Sequence, residues 1–250
     1  MSYDLTQLLK EWPYQTGQLA VRIIEGEDGT PKIQMRLDLG IIQMEMDGRP
    51  DGQRIEGFES FLDLVETSID ESGVQPGSPE SFHLSPDDCK RLREEAVQYY
   101  QRYVALFVLE EFDGVVRDTS RNLRVLDLCQ QHAEDDNDRD AVEQFRPYII
   151  MMRARALAVQ AIGAREPKAA LLHLDRALVE IRDHMSERGQ ADEFESSSEV
   201  QLLQGMRDAL VPKLPSSPKA ELRSRLRQAI EQENYELAAI LRDELKNMPD

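Results

Sequence analysis

SPDDCKRLREEAVQYYQRYVALFVL, residues 85–109, is the stretch that decides the fold. Ser85 carries a hydroxyl suited to capping a helix. Pro86 fits the first helical position, where its missing N–H costs nothing, and Asp87 and Asp88 complement the positive end of the helix dipole. Leu92, Ala96, Tyr99, Tyr103 and Leu106 then recur three or four residues apart, so a long helix is expected with one apolar side. A helical domain opens here.

Downstream the helical pattern continues almost unbroken to Met185. Gly114 falls near a helix–helix junction, and Val115, Val116, Leu123, Leu126 and Leu128 supply the next apolar face. Acidic Glu134 to Asp140 is read as a separating turn before a third helix, Val142 to Ile162. Gly163 and Pro167 mark a stop and a restart before Ala169 to Met185, giving two antiparallel hairpins. Glu111, Val115 and Leu123 recur as Glu166, Ala170 and Leu178, and the small residues Ala154, Ala156 and Ala158 resemble the helix contacts of tetratricopeptide repeats. The spacing is longer than that repeat, and its Trp-Leu-Gly-Tyr pattern is missing. Gln190 to Ser198 is expected as a loop and Glu199 to Leu210 as one more helix.

Upstream, Gln18 to Asp47 alternates with the period of strands. Leu19, Val21 and Ile23 form one run, Ile33, Met35, Leu37 and Leu39 a second, and Ile42, Met44 and Met46 a third. Gly26-Glu27-Asp28-Gly29-Thr30-Pro31 makes a hairpin turn between the first two, and Gly40 marks a bulge or sharp bend between the second and third. A small antiparallel meander with one buried face is expected. Phe58, Phe61, Leu62, Val65 and Ile69 fit a helix that would cover it. Asp47-Gly48 and Asp51-Gly52 read as turn chemistry in preference to cation ligands.

The fold class is therefore α+β, mainly α. Residues 1–70 form a β-rich module with a covering helix, 71–84 a linker, 85–210 a helical bundle, 211–218 a Pro-rich linker and 219–250 a helical hairpin. In the last of these, KAELRSRLRQAIEQENYELAAILRDELKNMPD, Leu222, Leu226, Ala229 and Ile230 make one apolar stripe. The stripe breaks at Glu233-Asn234 and resumes with Tyr235, Ala238, Leu241 and Leu245. Each helix has about three turns, too short to be stable alone in water, so the hairpin needs another apolar surface.

Leu226 to Glu231 followed by Tyr235 to Asp243 resembles the UVR motif, the hairpin named after the excision-repair proteins UvrB and UvrC and also found in Clp-type chaperones and McsA-type kinase activators. The resemblance rests on Tyr235, Glu236, Ala238, Ala239, Leu241, Arg242 and Asp243. It implies docking on another such hairpin or on a partner domain, with no catalytic role for the hairpin itself. Leu222, Leu226, Ile230, Tyr235, Ala238, Ala239, Leu241, Arg242 and Leu245 are the partner-binding candidates. The helicase, nuclease, ATPase and cysteine zinc-finger parts of those proteins have no counterpart in this sequence.

Composition narrows the function further. A formal net charge of −18 and a pI near 4.7 oppose nucleic acid as the main partner, because a duplex binder needs a basic face. The opening MSYDLTQLLKEWPYQ has no basic region followed by an apolar core, and no apolar run is long enough to cross a bilayer, so a cytoplasmic location is expected. Cys89 and Cys129 lack paired-cysteine spacing and read as buried free thiols. Asp136, Asp138 and Asp140 imitate a calcium loop, but Ala141 and Pro147 occupy its glycine and glutamate positions. His83, His132, His173 and His184 are scattered without ligand spacing.

No catalytic, cofactor or metal signature is present. The leading expectation is a non-enzymatic adaptor that offers its hairpin to a UVR-bearing, Clp-type or excision-repair-type protein, or to a second copy of itself. The alternative is an enzyme or small-molecule sensor with a pocket between the β module and the bundle, near Arg36, Asp38, Glu45 and Arg49.

Overall fold

The computed structural model describes residues 4–72 and 82–211, together with Leu226, Ile230 and Arg242. Residues Met1–Arg207 form one compact unit and Asp208–Asp250 a second. The chain is mainly helical, with a small antiparallel sheet near its start.

A short helix, α1 (Thr6–Glu11), precedes three strands, β1 (Ala20–Glu25), β2 (Pro31–Arg36) and β3 (Ile41–Glu45), which pair antiparallel in the order β1-β2-β3. The register sets Ile23 opposite Ile33 and Ile33 opposite Met44, with Val21, Met35 and Ile42 aligned beside them. Because side chains alternate across a strand, these residues share one face, and Ile33, Met35 and Met44 are buried there as the alternation required. The opposite face is a polar ladder. Arg22 donates from Nε and Nη2 to Gln34 Oε1 at 2.9 and 2.7 Å, and Gln34 Nε2 donates to Gln43 Oε1 at 2.9 Å.

Leu37 and Leu39 depart from their expected place on the second strand. β2 stops at Arg36, Leu37 N–H donates to Gly40 C=O at 2.8 Å, and Leu39 is left 90% exposed in the turn. The physical reason is the Arg36 guanidinium, which donates to the carbonyls of Trp12, Leu37 and Gly40 and folds the chain over before the alternation can continue. Gly40 thus belongs to a sharp turn and not to a bulge.

Helix α2 (Phe61–Ser72) buries Phe61, Leu62 and Val65 as its pattern required, but it packs on the next helix, α3 (Pro86–Val108). The principal helical contact with β2 comes from α3, correcting the expectation that α2 would be the cover. The N-terminus of α3 carries the full capping box: Ser85 Oγ accepts from Asp88 N–H at 3.2 Å, and Asp88 accepts from the Ser85 backbone.

Helix α4 (Phe112–His132) packs along α3, and α6 (Arg146–Gly163) packs against both α4 and α7 (Pro167–Glu187). The turns joining α3 to α4 and α6 to α7 are built alike. Glu110 and Arg165 both adopt positive φ, at 62° and 63°. Beyond each, Glu111 N–H donates to Leu106 C=O at 2.9 Å and Glu166 N–H donates to Ala161 C=O at 2.8 Å.

Two expected loops are partly helical. The acidic separator contains the start of α5 (Asp136–Glu143), capped by Asp135 accepting from Asn137 N–H; the stretch after α7 contains a 3₁₀ turn, Ala191–Ser196, that buries Phe194. At α5 the short Asp135 side chain satisfies the first turn, so little apolar periodicity was needed to start a helix, whereas the 3₁₀ turn has no side-chain cap and buries the single Phe194. Helix α8 (Ser198–Leu210) follows.

Candidate functional site

The residues expected near a pocket at the sheet make contacts within the protein. Glu45 pairs with Lys32 at 2.6 Å, Arg49 lies 3.2 Å from Asp51 and 3.4 Å from Glu95, and Asp38 accepts from Leu39 N–H. Asp47 and Asp51 take protein cations and amides, the first from Arg117 and the second from Gln98 and Arg49. The turn reading of the two Asp-Gly steps is consistent with Gly48 and Gly52 at positive φ.

Sequence reasoning missed the ionic core behind this loop. Arg102, fully buried in α3, grips buried Asp118 of α4 through two bonds of 2.7 and 2.9 Å and donates a third to Gly48 C=O at 2.8 Å. Glu95, about two helical turns earlier, accepts from Phe61 N–H at Oε1 and from Leu62 N–H at Oε2 and so caps α2, while Arg121 of α4 also closes on Oε2. The Tyr99 ring lies between the guanidinium groups of Arg102 and Arg121, 4.8 and 3.9 Å from its centre. Each charge was visible in the sequence as one more polar residue on a helix. Only the pairing across α3 and α4 shows them to be internal.

A well-formed cavity lies elsewhere, walled by α3, α4, α5, α6 and α8, with a volume of about 650 Å³. Tyr103 and Ile149 are buried at its floor, while Val97, Tyr100 and Phe145 are roughly half exposed at its mouth. Tyr100 meets Tyr103 edge to face with ring centres 5.4 Å apart and leans on Tyr148 at 6.1 Å. Burial pushes the phenols of Tyr103 and Tyr148 above the ordinary range, so both contribute as neutral rings at physiological pH.

Most polar groups around the cavity are already engaged. Arg93 pairs with Asp138 at 2.5 Å, Asn122 Nδ2 donates to Ala96 C=O at 2.9 Å, and Gln144 donates to Ala141 C=O at 3.0 Å. Glu199 differs. It accepts from the hydroxyls of Ser197 and Ser198 at 2.8 and 3.0 Å, and no cation among the described residues lies within ion-pair distance. Burial works to raise its pKa, but its own backbone N–H and the two serine hydroxyls outweigh that and hold the carboxyl below its usual range.

A second, more polar cleft of about 470 Å³ runs between Arg146, Glu143 and His184. Arg146 bridges Glu143 at 2.6 Å and Asp127 at 2.8 Å, and burial pushes His184 below its ordinary value. His184 sits 3.6 Å from Glu143, a pairing of structural kind. Cys89 and Cys129 are buried and unpaired by disulfide, in agreement with the sequence reading. Among the described residues no group of three or more His, Cys, Asp and Glu is placed to hold a metal ion, and no helix is long and apolar enough to cross a membrane.

Of the partner-binding candidates, Leu226, Ile230 and Arg242 are described and all three are helical; Leu226 is partly exposed, Ile230 is 52% exposed and Arg242 is exposed. Leu222, Tyr235, Ala238, Ala239, Leu241 and Leu245 lie outside the described residues. Comparison with curated proteins and with solved structures returns no match. The tetratricopeptide-like reading of the bundle gains no support from the family comparison, whose match lies at the other end of the chain. That match is to UVR, the UvrB/uvrC motif, over residues 217–248, and the chain carries this motif at its C-terminus.

Proposed function

We propose that this protein is a non-enzymatic adaptor: a folded, acidic body that presents a C-terminal UVR hairpin to a protein partner. The carrying observation is the motif match over residues 217–248, a segment that accounts for the specific family signal in the chain. The exposed Ile230, on the apolar stripe, supports it, because an amphipathic hairpin with a large aliphatic side chain in solvent has surface still to cover. The net charge of −18 favours protein over nucleic acid as the occupant. The partner fitting this reading is a second UVR hairpin, on a Clp-type or excision-repair-type protein or on another copy of this chain. Two free buried thiols agree with action in a reducing cytoplasm.

Affinity purification followed by mass spectrometry, run in parallel on the full chain, on a chain lacking residues 217–250, and on the double variant Leu226→Asp/Ile230→Asp, tests the proposal. UVR-bearing partners should be recovered with the full chain and lost from both variants. Sedimentation velocity on the same samples reads self-association. Equal recovery from all three, with no change in sedimentation, would refute the adaptor reading.

A further inference from the structure

The cavity between α3, α4, α5, α6 and α8 belongs neither to the ionic core nor to the UVR segment. We propose that it is a binding site for a small organic amine: a molecule with an aromatic or aliphatic body that enters between Tyr100, Tyr148 and Phe145 and sets a protonated nitrogen against Glu199.

Four observations converge on that chemistry. The volume, about 650 Å³, falls in the range that encloses a whole small molecule and exceeds what one inserted side chain would fill. The wall is largely apolar and aromatic, and the faces of tyrosine and phenylalanine carry the negative side of the ring quadrupole, which attracts a cation as well as an apolar body. Arg93 is neutralised by Asp138, and Asn122 and Gln144 are uncharged and each give an amide N–H to a backbone carbonyl, so these groups offer no uncompensated positive charge to a carboxylate or phosphate. Glu199 leaves the lining with one uncompensated negative charge, steadied by two serine hydroxyls that orient the carboxylate without neutralising it. An anionic ligand would bring a second negative charge beside Glu199; a neutral one would leave that carboxylate half-buried and unpaired. A cation satisfies both terms. The site stands independently of the adaptor reading, since every residue in it lies within Met1–Arg207.

Three probes sharing one skeleton separate the alternatives: phenylbutylamine, phenylbutanol and phenylbutyrate, titrated into the full-length protein by isothermal calorimetry. The amine should bind saturably at one site, about tenfold tighter than the alcohol, the size expected of a partly desolvated cation beside aromatic faces and a carboxylate. The carboxylate should bind weakest. Glu199→Gln should erase the preference for the amine while leaving the alcohol unchanged, and Val97→Trp, placed at a half-exposed position of the mouth, should weaken all three. Circular dichroism of both variants confirms that the fold is retained. The proposal is overturned if the amine shows no saturable binding up to millimolar concentration or if the carboxylate binds as well. It is also overturned if the preference persists in Glu199→Gln, which would trace it to the overall negative charge of the protein. A dimer of the full chain abolished by Val97→Trp would assign the mouth to a second copy and would equally sink it.

Discussion

Arg102 and Asp118 set the terms at the scale of single residues. Both are fully buried, so removing Arg102 leaves Asp118 charged in the interior with the partly exposed Arg117, 2.9 Å away, as its remaining ion pair among the described residues, and takes the donor from the Gly48 carbonyl. Arg102→Ala should therefore cost about 3–5 kcal/mol, while the paired replacement Arg102→Met/Asp118→Leu should recover most of that loss, as measured by urea unfolding. The two cysteines give a second expectation. Burial pushes the Cys129 thiol up to about 12 and raises Cys89 as well, so the thiolate needed for attack is scarce at neutral pH. A disulfide-exchange reagent at pH 8 should leave both unmodified in the native protein and react with both after denaturation. The same shifts fix a sign. Because the folded protein holds these protons to higher pH than the unfolded chain does, their stabilising contribution is present below about pH 8.5 and is lost as pH rises towards 12. Burial of Tyr99, Tyr103 and Tyr148 adds in the same direction, so the urea midpoint should fall through this alkaline range. That the cysteines would be buried was legible from their places in helical stretches. That Arg102 and Glu95 would be buried was not, because a charged residue on an amphipathic helix is by default a solvated one.

Individual elements show how far local signals reach. The start of α3 was written into Ser85, Pro86, Asp87 and Asp88, each acting within one turn, and the capping box is formed as that chemistry requires. The stop and restart at Gly163 and Pro167 were equally local. The ends of α3 and α6 are different, since Glu110 and Arg165 occupy a left-handed conformation that side chains disfavour by about 1–2 kcal/mol. Arg165 is exposed, so Arg165→Gly should relieve that strain with little else lost and raise the free energy of unfolding by about 1 kcal/mol, partly offset by the greater flexibility of glycine in the unfolded chain. Helix α5 escaped the sequence reading because its acidic residues serve as cap and first turn, and its buried residues are few, Val142 and Glu143. Too few apolar positions recur there to establish a period.

Across the whole molecule, charge is the dominant long-range quantity. A net charge of −18 repels itself, and that repulsion weakens as salt shortens the Debye length from about 30 Å at 0.01 M to about 8 Å at 0.15 M. The thermal midpoint should rise over this interval of added sodium chloride; a flat or falling midpoint would show that the screening of exposed ion pairs such as Arg117–Asp47 outweighs the relief of the general repulsion. By itself the sequence determined what depends on near neighbours and on repeated patterns: the meander from the alternation of Val21, Ile23, Ile33 and Met35, the long capped helices from their spacing, and the UVR motif from residues contiguous in the chain. The tertiary structure alone decided that α3 meets the sheet, that Arg102 and Glu95 are internal, and that Tyr100, Tyr148 and Glu199 enclose one cavity. Those facts depend on side chains brought together from helices far apart in sequence, and hydrophobic periodicity records which face of a helix is buried but not which other helix buries it.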